Sequence, residues 1–172
     1  MTGLRPLTPS DAAAVGRIRS GGSMRFLPPG RAAENAEAWL TRVLGYEDVE
    51  PRECWYRGIV VGADLLGLIS VRRYPPGEGR LGYILREDTW GRGHGTEAVR
   101  EMCAFAFHSV GLDVLTALHH PDNPASGRVL AKAGFTRTGS CDLMAEDGTV
   151  AAYPAYELAA KDYVPEKVGS PL

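Results

Sequence analysis

Glycines at positions 91, 93 and 95 separate a β-rich run, RLGYILR, from a helical pattern, and this is the stretch of the chain closest to a recognisable chemistry. A turn of that kind presents bare backbone N–H groups at a helix N-terminus. Glycine lets the backbone come close to a ligand, and unpaired amides together with the helix dipole favour an anion such as a pyrophosphate. The turn lacks the Gly-Lys-Ser/Thr ending of a P-loop, so the lysine and the magnesium ligand needed for nucleotide hydrolysis are missing. Gly93, Gly95 and Ala98 do satisfy the G-x-G-x-x-A spacing of a dinucleotide fold, with Asp113 downstream. Asp113 precedes its strand instead of ending it, however, and too few residues follow for the rest of such a sheet.

Other side chains with usable chemistry gather just beyond. His119 ends the run DVLTALH and His120 follows it, and Asn123 and Ser126 open the next helical pattern, PDNPASGRVLAKAGF. A histidine suits proton transfer near pH 7, and two in succession on a strand point to opposite faces, so at most one can serve a site on one face. By type alone, Asn123 reads as a helix-start residue. Cys54, Cys103 and Cys141 are odd in number and lack CxxC spacing, which gives neither a disulfide framework nor a zinc site, and no metal is expected.

These residues need a scaffold. Leu4–Leu7 reads as a first strand, with Thr8 or Ser10 capping a helix over DAAAVGRI. Gly21, Gly22, Pro28, Pro29 and Gly30 break the chain before a second helix in AAENAEAWLTRVL, where Ala36, Trp39, Leu40 and Val43 recur at helical spacing. CWYRGIVV and LLGLISVRRY form a hairpin about Gly62-Ala63-Asp64, and RLGYILR follows as the next strand. The helix from Gly91 stops at Gly111, the one after His120 stops at Gly134, and two strands, FTRTGSCDL and TVAAYPAYEL, turn at Asp147-Gly148. The order predicts a single domain over residues 1–160 and a mobile tail over 161–172.

Composition narrows the partners. The chain has 172 residues, 44% of them hydrophobic, enough to bury a core without staples. Its net charge is -2 and its 19 basic residues are scattered, so nucleic acid is not an expected partner. No apolar run approaches the roughly 20 residues of a membrane span, and MTGLRPLTPSD does not resemble a secretory signal, so no membrane partner and a cytoplasmic location are expected.

WGRGHGTEA and NPASGRVLAKAGF closely resemble the two cofactor-binding signatures of the GNAT superfamily, the acyl-CoA-dependent N-acetyltransferases. LRPLTPSDA, LGYILREDTWGRGHGTEAV and DNPASGRVLAKAGF are more narrowly similar to its ribosomal-protein N-terminal acetyltransferases, over nearly the whole chain to about Leu158. Trp90 stands where the superfamily pattern opens with Gln or Arg; the glycines that donate amides are kept. The resemblance implies an α/β (α+β) fold: a mixed, mostly antiparallel sheet of six or seven strands with helices on both faces. It further implies a bulged strand at RLGYILR, splayed from VLTALHH so that acetyl-CoA enters the gap.

Carried onto this sequence, the resemblance places the pantetheine arm along Ile84, Leu85 and Arg86. It places the pyrophosphate on the amides of Gly91, Arg92, Gly93, His94, Gly95 and Thr96, and a further contact on Asn123. An amine then attacks the thioester directly, with no covalent enzyme intermediate. Many members protonate the departing thiolate with a tyrosine whose position here is Leu130; Ser126 is the substitute, either donating to the sulfur or merely opening the helix while the thiolate leaves unaided. His119 or His120 is a candidate base, as are Glu78, Glu87 and Glu146. Tyr83 is a candidate lining residue of the acceptor pocket. RSGGSMRFLPPGRAAENAEAWL builds the acceptor wall in this family, and the acceptor could be a protein N-terminus, an amino sugar or antibiotic amine, or a polyamine. A homodimer is expected, and a non-catalytic acyl-CoA sensor is the competing function.

Overall fold

The structure is a computed structural model that describes residues 1–28 and 34–165. Seven strands form one sheet in the order β1-β2-β3-β4-β5-β7-β6. They are β1 (Thr2–Arg5), β2 (Cys54–Val61), β3 (Asp64–Tyr74), β4 (Glu78–Leu85), β5 (Val114–Leu118), β6 (Thr136–Met144) and β7 (Val150–Ala159). The helices are α1 (Ala12–Arg19), α2 (Ala36–Gly45), α3 (His94–Ala104), which widens into a π-type stretch over Phe105–Val110, and α4 (Pro124–Lys132). β4 and β5 run parallel, and every other neighbouring pair is antiparallel.

Strand alternation divides the apolar residues between two cores. Leu65 and Leu68 meet α1 and α2 through Val15, Ile18, Trp39 and Leu40. Ile69, Val71, Leu81 and Leu115 meet α3 and α4 through Val99, Met102 and Leu130. Helices therefore cover both faces, with α1 and α2 on one and α3 and α4 on the other.

Several expectations shift in place. The first strand begins at Thr2 and ends at Arg5, because Pro6 has no N–H to extend the ladder and Leu7 packs into the α1–α2 core instead. The described part of the second helix starts at Ala36, where the Asn35 side chain accepts from Ala38 N–H at 2.9 Å; Pro29, Gly30, Ala32 and Ala33 lie outside the described residues. An unexpected 3₁₀ turn over Gly22–Phe26 lies against the end of β4. At the C-terminus the chain stays packed through Tyr163, whose ring lies 5.3 Å from that of Phe107; residues 166–172 lie outside the described residues.

The expected bulge in RLGYILR is not there. Every residue of β4 pairs with β3 without a register shift, from Tyr74↔Glu78 to Gly67↔Leu85. The gap arises on the other edge, where pairing to β5 stops at Leu81↔Ala117 while β4 continues to Leu85. Gly67 holds the free end of β4 close to β3: a Cβ there would sit 2.2 Å from the Ile84 carbonyl oxygen. Gly67→Ala must push β4 back towards the gap, and is expected to lower unfolding free energy by about 2–3 kcal/mol in chemical denaturation. Gly3→Ala, where a Cβ meets nothing within 4 Å, is its near-neutral control.

The first helix is tied to β1 by charge. Asp11 accepts from both terminal nitrogens of Arg5, at 2.7 and 2.8 Å, and from Thr8 N–H at 2.8 Å. The Arg5 hydrogen bonds hold its carboxyl down to about 2, from an ordinary 3.8. A lowered folded-state value means stability that is present above the unfolded value and lost as pH falls. Arg5 is 37% exposed, so the contribution is about 1–2 kcal/mol, below what the full shift implies. In wild type it should fade between about pH 4 and pH 2, and in Asp11→Asn this component of the acid-unfolding curve should be missing.

Candidate functional site

A cleft of about 730 Å3 follows the β4–β5 opening from the glycine turn towards α1 and α2. Backbone alternation decides what its edge offers. Arg86 N–H donates to Leu66 O at 2.9 Å, so Ile84 and Gly82 exchange hydrogen bonds with β3, and the polar groups of Tyr83 and Leu85 turn to the open side. The Leu85 carbonyl is taken by two donors, Ser23 Oγ at 2.6 Å and Trp90 Nε1 at 3.1 Å. The N–H groups of Tyr83 and Leu85 are left facing the opening, suited to pair with an extended amide chain or to donate to a developing oxyanion.

At one end of the cleft lie Gly91, Gly93, His94, Gly95 and Thr96. Gly93 caps α3 in the left-handed region, φ 87°, and Gly91 has φ 74°, so glycine is required at both for the turn to close. Glu97 N–H donates to Gly93 O at 3.1 Å as α3 begins, which leaves the amides of the first turn aimed out of the helix end. His94 turns its ring away, with Nδ1 2.9 Å from Thr2 Oγ1, so its backbone N–H is what it can offer to the cleft. Arg128 and Lys132 of α4 line the cleft as well. Amides at a helix N-terminus with nearby cations fit the diphosphate of CoA.

Arg86 and Arg92 are not among the cleft-lining residues. Arg86 is engaged by Asp64 at 2.9 Å and Asp88 at 3.1 Å, and those carboxylates raise its already high pKa. Ile84 lines the cleft with its side chain, while its backbone belongs to the β3 ladder. Asn123 lines the cleft and stands at the N-cap of α4, yet its side chain makes no capping bond.

Ser126 faces Tyr83 across the gap, with the two hydroxyl oxygens 2.7 Å apart. Burial pushes the Tyr83 phenol up to about 12, so it keeps its proton at neutral pH. Its single proton has two acceptors in reach, Ser126 Oγ at 2.7 Å and the Ser126 carbonyl at 3.2 Å, and donated to the nearer one it leaves the serine proton free to point elsewhere. Leu130, at the position of the missing tyrosine, is fully buried in the core.

The two histidines divide their qualifications. His119 Nδ1 lies 2.7 Å from His120 O, and because a carbonyl only accepts, Nδ1 carries the proton and Nε2 holds the lone pair. That ring is 8% exposed and faces α4, where Nε2 is 2.7 Å from the place a Cβ on Gly127 would occupy. His120 lies on the other face, 5.6 Å from Phe26, but its Nδ1 accepts from Asp122 N–H at 3.1 Å, so in the neutral ring Nε2 already carries the proton. Glu78, Glu87 and Glu146 are not among the cleft-lining residues; Glu78 accepts from Thr116 and Glu87 pairs with Arg25. The acidic residue that does line the cleft is Glu34, bound to Arg42 at 2.6 Å.

The sequence profile of the Acetyltransferase (GNAT) domain family matches residues 2–136. The chain belongs to the GNAT acetyltransferase family. A probable N-acetyltransferase of Bacillus subtilis, YjcK, is 36% identical over 109 residues, 60% of this chain and 60% of that protein's length. Among solved structures, Mycobacterium smegmatis RimJ in complex with CoA-disulfide superposes with a TM-score of 0.80 at 22% identity, over 93% of this chain and 82% of that one. Ribosomal-protein-S5-alanine acetyltransferase from Vibrio fischeri gives 0.79 at 23% identity, over 95% and 96%. Both likenesses carry the fold.

For the glycine turn, Gly93→Val places a branched side chain at φ 87° beside the helix-end amides. It is expected to weaken CoA binding at least about 10-fold by calorimetry. Unchanged affinity in a variant that keeps its thermal midpoint would detach the turn from CoA.

Proposed function

We propose that the protein transfers the acetyl group of acetyl-CoA to the nitrogen of a primary amine by direct attack. The observation that carries this reading is the Ser126 hydroxyl held by Tyr83 at the opening between β4 and β5, on the same cleft as the glycine turn.

Acetyl-CoA supplies the thioester: the amine nitrogen bonds to the acyl carbon, and the C–S bond breaks. The chain's own groups do the rest. Amides from Gly91 to Thr96, with Arg128 and Lys132 behind them, hold the phosphates, and the N–H groups of Tyr83 and Leu85 align the pantetheine and can receive the oxyanion. Asn123 contributes a side-chain contact to the same arm. Ser126 donates a hydrogen bond to the departing sulfur while accepting one from Tyr83, which keeps its proton, and the released thiolate takes its proton from water. A thiolate with pKa near 8.5 is a fair leaving group, so this hydrogen bond contributes modestly. No histidine is set as base on the acceptor face. The ammonium, with pKa near 10, sheds its proton to water before attack.

A second reading, an acyl-CoA sensor without turnover, draws support from the uncommitted base and from Leu130 in place of the acid. The acetyltransferase reading also includes a homodimer and a single domain reaching at least Tyr163. Support for the dimer comes from β6, an edge strand exposed along nearly its whole length, with Met144 and Val150 at the hairpin end 67% and 59% exposed.

Following CoA thiol release with acetyl-CoA and a broad amine panel separates the readings. Turnover of at least one amine is expected, and binding of CoA with no release on any amine would turn the conclusion to the sensor. Ser126→Ala should lower kcat about 10- to 100-fold with acetyl-CoA affinity retained, and Tyr83→Phe should lose part of the same factor. Parallel loss of binding and turnover in Ser126→Ala would make the serine a positioning residue only.

A further inference from the structure

Beyond the glycine turn, the cleft runs over the face of the sheet that meets α1 and α2, and there its lining changes sign. Its floor is set by register: Leu68 opposite Ile84, Ser70 opposite Gly82, then Arg72 opposite Arg80. Gly82 lies just past the last residue that β4 pairs with β5, so the two arginines stand one strand pair back from the opening, about 7 Å along the strand.

Like charges directly opposed across an antiparallel pair destabilise a sheet. Among the described residues no carboxylate lies within ion-pair distance of Arg72 or Arg80. Each guanidinium is instead packed over an aromatic ring, Arg72 over Tyr46 at 5.8 Å and Arg80 over Tyr74 at 5.2 Å. Glu78 and Glu157 share this face of the sheet through their pairing to Val114 and Thr116, but Glu78 accepts from Thr116 and neither forms an ion pair with the arginines.

The rest of the lining leans the same way. Arg19 and Arg42 stand on the wall opposite, and among the described residues the single acidic side chain of the cleft, Glu34, is bound to Arg42. A chain with net charge -2 thus carries a basic acceptor end. Such an end repels a polycation and matches an anion, and two arginines at directly opposed strand positions that both line the cleft suit a carboxylate or phosphate.

We propose that the acceptor is an amine that also carries an anionic oxygen group, a carboxylate or a phosphate, which docks on the Arg72–Arg80 pair while its nitrogen reaches the acyl group over Gly82. This rests on the acetyltransferase reading and narrows its substrate class, away from polyamines. The anion has a second effect: it occupies the charge of the floor that would otherwise repel the approaching ammonium.

The test is a matched panel with acetyl-CoA: peptides with acidic or basic residues after the N-terminus, a phosphorylated and an unphosphorylated amino sugar, a small amino dicarboxylate, and spermidine. Wild type should favour the anionic member of each pair by at least about 10-fold in kcat/KM, falling as salt rises. The preferred pair tells peptide from small acid from phosphate. Arg80→Gln and Arg72→Gln should each remove most of that preference through KM, with acetyl-CoA affinity and thermal midpoint retained, and Arg80→Glu should favour the basic peptide. Equal use of neutral and anionic amines, or preference for spermidine, overturns the proposal while leaving acetyl transfer intact. If no amine is turned over, the acetyltransferase reading fails by itself. Calorimetry of the anionic compounds on the CoA-loaded protein still decides the present one, since binding must weaken in the two glutamine variants, and no measurable binding to wild type overturns it.

Discussion

The separation of two neighbouring strands organises this molecule. A sheet satisfies its backbone by pairing, and a strand whose neighbour leaves must find other partners for half of its N–H and C=O groups. β4 loses β5 after Leu81, and the groups of Tyr83 and Leu85 are what it leaves unpaired by the ladder. The protein answers only part of that need itself, through Ser23 and Trp90 at the Leu85 carbonyl. The donors that remain suit an extended, amide-bearing ligand, and the glycine turn, Ser126 and Asn123 are arranged around the same opening.

The separation itself has a local cause at both ends. Gly67 allows β4 to lean on β3 so closely that any side chain would strike the Ile84 carbonyl. On the other side, Gly127 lets α4 come down onto His119 and Tyr156, since a Cβ there would lie 2.7 Å from each. α4 is thereby seated near the strand it must face, and Ser126, the residue before Gly127, arrives within hydrogen-bond reach of Tyr83. Two glycines with no chemistry of their own set the width of the opening.

What could be read from the chain were the parts whose physics is local. The helix-start glycines, the strand before them and the Asn-Pro opening of α4 are contiguous, so periodicity and turn chemistry suffice. The bulge expected in β4 was replaced by an early end to its pairing with β5, a matter of two strands 36 residues apart at Leu81 and Ala117. Register is equally invisible to a linear reading: nothing in LLGLISVRRY or RLGYILR says that Arg72 will stand opposite Arg80. The tautomer of His120 depends on one backbone N–H in the next turn, and the role of Tyr83 on a serine 43 positions away. Ser23 offered no signal at all beyond lying in a glycine-rich break.

The doubly used carbonyl of Leu85 has a thermodynamic consequence. Ser23 belongs to the segment between α1 and α2, the wall proposed for the acceptor, and Trp90 immediately precedes the glycine turn proposed for the donor. One oxygen atom is therefore a shared anchor for two binding surfaces. A ligand that orders either segment stiffens the atom on which the other is hung, and the entropy of ordering is spent once for both. Linkage then requires reciprocity: whatever factor a bound donor adds to acceptor affinity, a bound acceptor returns to the donor. The coupling between the two proposed sites would thus run through a single hydrogen-bond acceptor, located where the two strands part.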